Sequence, residues 1–317
     1  MNILVAGGAG FIGSHLIDRL IAEKHRVICV DNFLTSAESN ISHFSKNPQF
    51  TFLKHDITKP LTVDQKLDAI FHLASPASPN HHSPISYHKL PAQTMMVNTQ
   101  GTIELLSLAE KHHAKFLFAS TSEIYGDPLE HPQKEEYRGN VSTTGPRSVY
   151  DEAKRFGETI TAYYWRDRGV DGRIARIFNT YGPRMQRSDM RMIIVFITQA
   201  LAGKPLTIFG DGTQTRSLCY VDDTVEGLVR LMFYPNTKGE IVNIGSPDEH
   251  SVHEFAEIIK KLTQSSSTIE KSEQLPEDDP KKRRPDIAKA QKLLQWQPRI
   301  KLEEGVTRLI DYFKTTL

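Results

Sequence analysis

Only two cysteines occur in 317 residues, Cys29 and Cys219, and each sits in an apolar, strand-like stretch. So few thiols exclude a disulfide framework or a thiolate metal cluster, and the expectation is buried, reduced thiols in a cytoplasmic setting. Charge of one sign is equally scarce, since 39 basic against 38 acidic residues leave a formal charge of +1. A chain that binds nucleic acid or a membrane surface carries a basic excess, so small molecules are the expected partners, with no nucleic acid and no membrane. Long hydrophobic runs are missing too. The longest, residues 192–197, falls far short of the ~20 residues a membrane-spanning helix needs, and Met1-Asn2-Ile3-Leu4 opens without a basic leader. No repeat or low-complexity tract is present. The length predicts a soluble protein of about two domains, or one large α/β unit with an added lobe.

What is present is a succession of short β-rich runs separated by helical patterns. Residues 3–6 end in Gly7-Gly8-Ala9-Gly10-Phe11-Ile12-Gly13, and apolar residues at Ile12, Leu16 and Leu20 start a helix inside the turn. Glycines there let backbone N–H groups approach a pyrophosphate, and the new helix offers its positive end to the negative charge. A second strand, 26–30, ends at Asp31, about 20 residues past the glycines. That position suits an acid that accepts from both ribose hydroxyls and repels a 2′-phosphate, which favours NAD over NADP. Runs at 50–53 and 69–74 continue the pattern, and their largely apolar character, without strict alternation, predicts parallel strands covered on both faces, with further strand-like runs at 115–119 and 173–178. The expected fold is α/β, a Rossmann-type doubly wound parallel sheet. Its nucleotide-binding domain is expected over 1–178 with return segments near 218–245, and a smaller C-terminal substrate-binding lobe over 179–317.

The chemistry is concentrated between Thr121 and Lys154. Tyr150 and Lys154 are four residues apart, so a helix places both on one face, where an ammonium would draw the phenol pKa from ~10 toward neutrality. Tyr150 is then a candidate general base. Ser148-Val149-Tyr150-Asp151 reads as a capping box after Gly145-Pro146, and the helix is expected to run to about Asp167. Residues 95–112 read as one helix. The loop 75–91 holds His81, His82 and His88, but no carboxylate or Cys stands at ligand spacing, so solvated histidines and no metal are expected. The turn 210–216 is expected to deliver Arg216, and the charged stretch 271–282 reads as a solvated loop.

These pieces together resemble the extended short-chain dehydrogenase/reductase family over nearly the whole chain. The carriers are Gly7, Gly10, Gly13, Asp31, Asp56-Ile57, Asn98, the Tyr150/Lys154 pair and Asn179 in Asn179-Thr180-Tyr181-Gly182-Pro183. Within it the chain looks most like the decarboxylases of UDP-glucuronate, through Thr121-Ser122-Glu123-Ile124-Tyr125-Gly126-Asp127-Pro128, Gly145-Pro146-Arg147-Ser148, Arg176–Met185 and Asp279-Pro280. The resemblance implies a carboxy-lyase with tightly bound NAD, which Phe11, Ile12, Asn32, Phe33, Leu73 and Ala74 would contact beside the glycines. It implies catalysis by Thr121, Tyr150 and Lys154, with Glu123 and Arg283 in decarboxylation and protonation at C5. Ser122 stands where related dehydratases carry an Asp, a harmless neighbour for a substrate carboxylate. Asn179, Arg184, Arg191, Arg216 and Arg283 would hold a UDP-sugar, since a guanidinium pairs with phosphate oxygens. The family also implies a homodimer, through helices near Ile103 and Phe156. The chain departs from the pattern at Met190 and Ile194-Val195, which lose a polar substrate contact, and at His81 and His82, where aromatic residues are common. A nucleotide-sugar 4-epimerase or 4,6-dehydratase is the alternative function, and an idle NAD-sensing protein is a more distant one.

Overall fold

The computed structural model describes residues 1–316. The first half alternates strands and helices: β1 (Asn2–Ala6), α1 (Phe11–Ala22), β2 (Arg26–Asp31), β3 (Phe50–Lys54), β4 (Ala69–His72), α2 (Pro91–Asn98), α3 (Gln100–His112), β5 (Lys115–Thr121), α4 (Ser148–Asp167) and β6 (Asp171–Ile177). The rest holds β7 (Thr180–Tyr181), α5 (Met192–Leu201), β8 (Leu206–Phe209), β9 (Thr215–Ser217), β10 (Cys219–Tyr220), α6 (Val221–Phe233), β11 (Ile241–Ile244), β12 (Glu249–Ser251), α7 (Val252–Thr263), β13 (Ile269–Glu273), α8 (Ala288–Leu294) and α9 (Leu302–Thr316).

Seven strands form one sheet in the order β11-β6-β5-β4-β1-β2-β3. All its pairings are parallel, with Val5 opposite Cys29 on one side and Phe71 on the other. Alternation along β1 explains the two cores. Ile3 and Val5 point to the face covered by α1 and α6, whereas Leu4 and Ala6 point to the face covered by α3 and α4. Full burial of Ile3, Leu4 and Val5 contributes about 1.5–3 kcal/mol each relative to exposure, and the doubled burial accounts for the largely apolar runs. Chain order reverses between β1 and β4, and a crevice at the carboxyl ends of those strands is the ligand position such sheets provide. Cys29 and Cys219 are both buried and free.

Three local expectations need correction. Ser148 is the first helical residue of α4 rather than its cap; Arg147 is the N-cap, with no side-chain capping bond, and Asp151 turns inward to a buried position. Residues 95–112 are not one helix. Pro91 starts α2, and at Thr99 (φ −110°, ψ −78°) the backbone steps out of helical geometry before α3 begins. Asn98 at that step is wholly buried and donates to Ser75 Oγ (2.9 Å) and Thr94 O (2.8 Å), so the bend serves a tertiary anchor. Residues 271–282 are not simply a solvated loop either, because β13 pairs in parallel with β8 and Asp279 is drawn in by two arginines.

Candidate active site

A cavity of about 550 Å³ opens over the carboxyl ends of the sheet, and both halves of the chain line it. Its cofactor side is the β1–α1 turn. Gly7 has φ +76°, and a Cβ there would lie 2.6 Å from the Ala74 nitrogen; one on Gly13 would lie 2.2 Å from the Gly7 carbonyl oxygen. Only bare backbone fits. Gly10 caps α1 with no side-chain bond, so the positive end of the helix faces the cavity unscreened, as a pyrophosphate requires. Asp31, at the end of β2, accepts from Ala9 N (3.0 Å), Phe33 N (2.9 Å) and Ser36 Oγ (2.7 Å). A carboxylate has about four acceptor positions, so the loop orients Asp31 and leaves room for a hydroxyl donor. This cradle fits a dinucleotide such as NAD.

Gly7, Gly10, Phe11, Ile12, Gly13, Leu73, Thr121, Glu123, Tyr150, Lys154, Asn179, Arg191, Arg216 and Arg283 all line the cavity, as the sequence reading expects of a site. Others lie off it. Ser122 is buried with the first turn after β5 and does not line the cavity. Arg184 pairs with Asp18 of α1 at 2.6 Å. Asp56 accepts from Thr58, while Ile57 packs beneath Gly101. Asn32 bonds Leu34 N within its own loop, and Phe33 stacks on Phe52.

Tyr150 and Lys154 project from the first turns of α4 against the end of β5. Lys154 donates to the Ala119 carbonyl at 2.7 Å, and its ammonium lies 5.8 Å from the Tyr150 ring centroid. Burial raises the Tyr150 phenol above its ordinary value, opposed by a hydrogen bond with Thr121, and burial lowers Lys154 to about 7. Burial therefore opposes the draw toward neutrality expected of Lys154. Desolvation is the largest influence on both groups. Tyr87, wholly buried, lies face to face with Tyr150.

The other half of the site is an ionic network. Thr121 Oγ1 accepts from Glu123 N (3.2 Å), capping a short 3-10 turn that swings the Glu123 carboxylate inward. Glu123 Oε2 accepts from Arg147 Nη2 at 2.6 Å, and Oε1 accepts from Arg283 Nη1. Asp279 in turn accepts from Arg147 Nη1 (2.9 Å) and Arg216 Nη2 (2.7 Å). Burial works against ionised Glu123, but the charges of Arg147 and Arg283 hold it well below the usual carboxylate range. Burial, aided by the Glu123 charge, pushes Asp151 up to about 8. The site thus holds a fixed anion with each oxygen bonded by a guanidinium, beside a phenol, a hydroxyl and an amine. Such a constellation can move a proton at a substrate hydroxyl and govern charge at an adjacent carbon.

Sequence reasoning missed Arg147, Asp279, Asp151 and Tyr87 as working parts. Arg147 and Asp279 stood inside quoted motifs, yet only the fold brings the two within bonding distance across 132 residues.

Comparison with known proteins follows the same lines. Residues 3–245 match the family model described as the NAD dependent epimerase/dehydratase family. UDP-glucuronic acid decarboxylase 1 of Arabidopsis thaliana is 48% identical over 317 residues, covering 100% of this chain and 71% of that protein. UDP-glucuronic acid decarboxylase 1 of Danio rerio is 48% identical over 318 residues, covering 100% and 73%. Among solved structures, UDP-glucuronic acid 4-epimerase from Bacillus cereus, in complex with UDP-glucuronic acid and NAD, superposes with a TM-score of 0.88 at 33% identity, covering 100% of each chain.

Proposed function

Because this chain belongs to the NAD dependent epimerase/dehydratase family, we propose that it is an NAD-dependent carboxy-lyase converting UDP-glucuronate to UDP-xylose. The observation that carries the reading is full-length identity near one half to UDP-glucuronic acid decarboxylases of plant and animal. The site suits the chemistry. Bound over the glycine turn, NAD supplies a cationic, reversible hydride acceptor.

Tyr150 takes the proton of the C4 hydroxyl, and the Thr121 hydroxyl bonds the same oxygen. Loss of that proton and of the C4 hydride leaves a 4-ketone. With a carboxylate on C5 the sugar is now a β-keto acid, and the C5–carboxylate bond breaks with its electron pair passing into the ketone as an enolate. Tyr150, protonated, and Thr121 stabilise the developing oxyanion. Protonation at C5 and return of the hydride and proton at C4 complete the pentose. The charges of Arg147 and Arg283 favour the ionised form of Glu123, which suits a part in positioning the substrate and its flanking guanidiniums beside the reacting carbons. Arg191 and Arg216 line the cavity where a diphosphate can be gripped, and Asn179 offers an amide to the nucleotide sugar.

The fold alone also suits 4-epimerisation, because the superposed Bacillus cereus enzyme has the same architecture. One experiment separates the readings: UDP-glucuronate and NAD are supplied, and the product is examined by mass and NMR. A UDP-pentose with release of CO₂ supports the decarboxylase; a six-carbon 4-epimer, or a keto-sugar with steady accumulation of reduced cofactor, refutes it.

The same reading extends to assembly and compartment. Met95 and Met96 on α2 and Phe156 and Tyr163 on α4 are exposed, and the last two lie two turns apart on one stripe. Pairing of two copies through α2 and α4 would cover them, and mass measurement in solution decides it. Two buried free thiols suit a reducing, cytoplasmic compartment. Among the described residues, no helix is long and apolar enough to cross a membrane.

A further inference from the structure

One polar cluster at the rim of the cavity has no part in the chemistry above. His81 and His82 lie in the loop that follows β4, and Glu273 is the last residue of β13, so the two sides are separated by 191 residues in sequence. A single carboxylate reaches both rings: His82 Nε2 is 2.9 Å from Glu273 Oε1, and His81 Nε2 is 3.6 Å from Oε2. The two imidazole centroids are 4.0 Å apart. One ligand atom from each of the three residues lies within 4.8 Å of the others.

We infer that His81, His82 and Glu273 form a site for a divalent transition cation of the zinc type, which ties the loop after β4 to the C-terminal lobe across the cavity rim. The donor set decides the class. Two imidazoles and one carboxylate suit zinc, cobalt or nickel, whereas calcium and magnesium demand oxygen donors throughout. Bonds of ~2.1 Å in a tetrahedron place donor atoms ~3.4 Å apart, so the present spacing needs only small rotations of side chains that are each more than 40% exposed. Three protein ligands leave a fourth position for water.

Both backbones are already anchored. Ser78 Oγ donates to Asp189 O (2.6 Å), Asn80 Nδ2 donates to Met190 O (2.8 Å), and Asn80 Oδ1 accepts from His82 N (2.9 Å). On the other side Glu273 is in register with Phe209 of β8, and the His81 ring stacks at 24° on that same phenylalanine. The ligands are therefore presented by supported segments rather than by free tails. All three also line the cavity, so an ion held there fixes the rim on two sides at once.

The test uses the full chain carrying no histidine tag, stripped with a chelator and exchanged into chelator-free buffer. Zinc is titrated calorimetrically, and cobalt is added separately to read coordination from its visible absorption, with neither substrate nor NAD added. The readout is thereby independent of the decarboxylase reading. The expected result is one zinc per chain and a tetrahedral cobalt spectrum. Binding is lost in the doubly substituted His81→Ala, His82→Ala protein and weakened at least ~10-fold by Glu273→Gln, the low end of what losing even an outer partner of a metal site costs. His43→Ala, which alters another exposed histidine, keeps wild-type binding. Zinc also slows amide exchange at 75–91 and 269–273. No binding at one equivalent, binding unchanged in the double variant, or exchange unaltered by zinc overturns the proposal.

Discussion

The ring of Tyr87 lies flat on that of Tyr150, with centroids 4.9 Å apart and planes within 8°. A wholly buried tyrosine whose hydroxyl has no partner among the described residues thus forms the wall against which the candidate base rests. Tyr87→Phe is expected to keep or slightly raise stability, since an unbonded buried hydroxyl is costly, and to leave turnover near wild type. Tyr87→Ala is expected to lose about 3–5 kcal/mol and to lower kcat by ~100-fold through misplacement of Tyr150. Thermal melts alongside steady-state kinetics of both variants check this; equal effects of the two would show that the wall is not what matters.

Tyr150→Phe removes only a hydroxyl. The expected consequence is a fall in kcat of ~10²–10⁴-fold, the usual contribution of a positioned acid or base, with binding of UDP-glucuronate retained. Turnover assays together with calorimetry of substrate binding read the two effects separately, and a variant that turns over normally rules Tyr150 out as the base.

Arg147 joins two carboxylates that are far apart in sequence, bonding Glu123 at 2.6 Å and Asp279 at 2.9 Å. Arg147→Met leaves both with one guanidinium fewer in a desolvated site, so a loss of about 3 kcal/mol is expected, together with loss of decarboxylation. Denaturant unfolding measures the first quantity and product analysis the second. Stability within experimental error of wild type would mean that the network contributes little to folding.

Asp151 gives stability a definite pH dependence. Burial and the Glu123 charge raise its pKa from 3.8 to about 8 in the folded chain. Between those values the unfolded chain has released a proton that the folded chain keeps, so this group favours folding fully below pH 3.8 and loses that contribution as pH rises toward 8. Lys154, lowered by burial from 10.5 to about 7, acts in the opposite sense, its penalty easing as pH rises from 7 toward 10.5. Melting temperatures of Asp151→Asn and wild type across pH 5 to 8 are expected to diverge in favour of the variant as the pH increases. Parallel curves would count against a buried neutral Asp151.

Gly13→Ala places a methyl group 2.2 Å from the Gly7 carbonyl oxygen. Backbone cannot yield there without opening the turn, so NAD affinity is expected to collapse. Fluorescence or calorimetric titration with NAD tests it, and unimpaired binding would place the cofactor elsewhere.

Much of this was legible in the residues because local physics carried it. The glycine turn, Asp31 at the end of its strand and the Tyr150/Lys154 helix each depend on neighbours within about 20 residues, and all appear where expected. What was not legible depends on distance. The pairings of Glu123 with Arg283 and of Arg147 with Asp279 close loops of well over a hundred residues, and no periodicity announces them. β13 was hidden because four of its five side chains are exposed, so its polar sequence looks like a solvated loop. The helix α7 is different: Ser251 and Glu254 form a true capping box, a signal that stands in the sequence itself. The fall of Lys154 rather than Tyr150 toward neutrality could not be read from spacing, since burial of both groups sets it.

The strand that ends the sheet has a consequence for biosynthesis. β6 finds its outer partner only in β11, which lies beyond β7, α5, the β8–β10 segments and α6. A growing chain emerging from the ribosome therefore displays an unfinished sheet edge until residue 244 is out, and the lobe that follows supplies Arg283 later still. The two halves of the cleft are interleaved along the message, and no single cut in the gene would yield them as separate products.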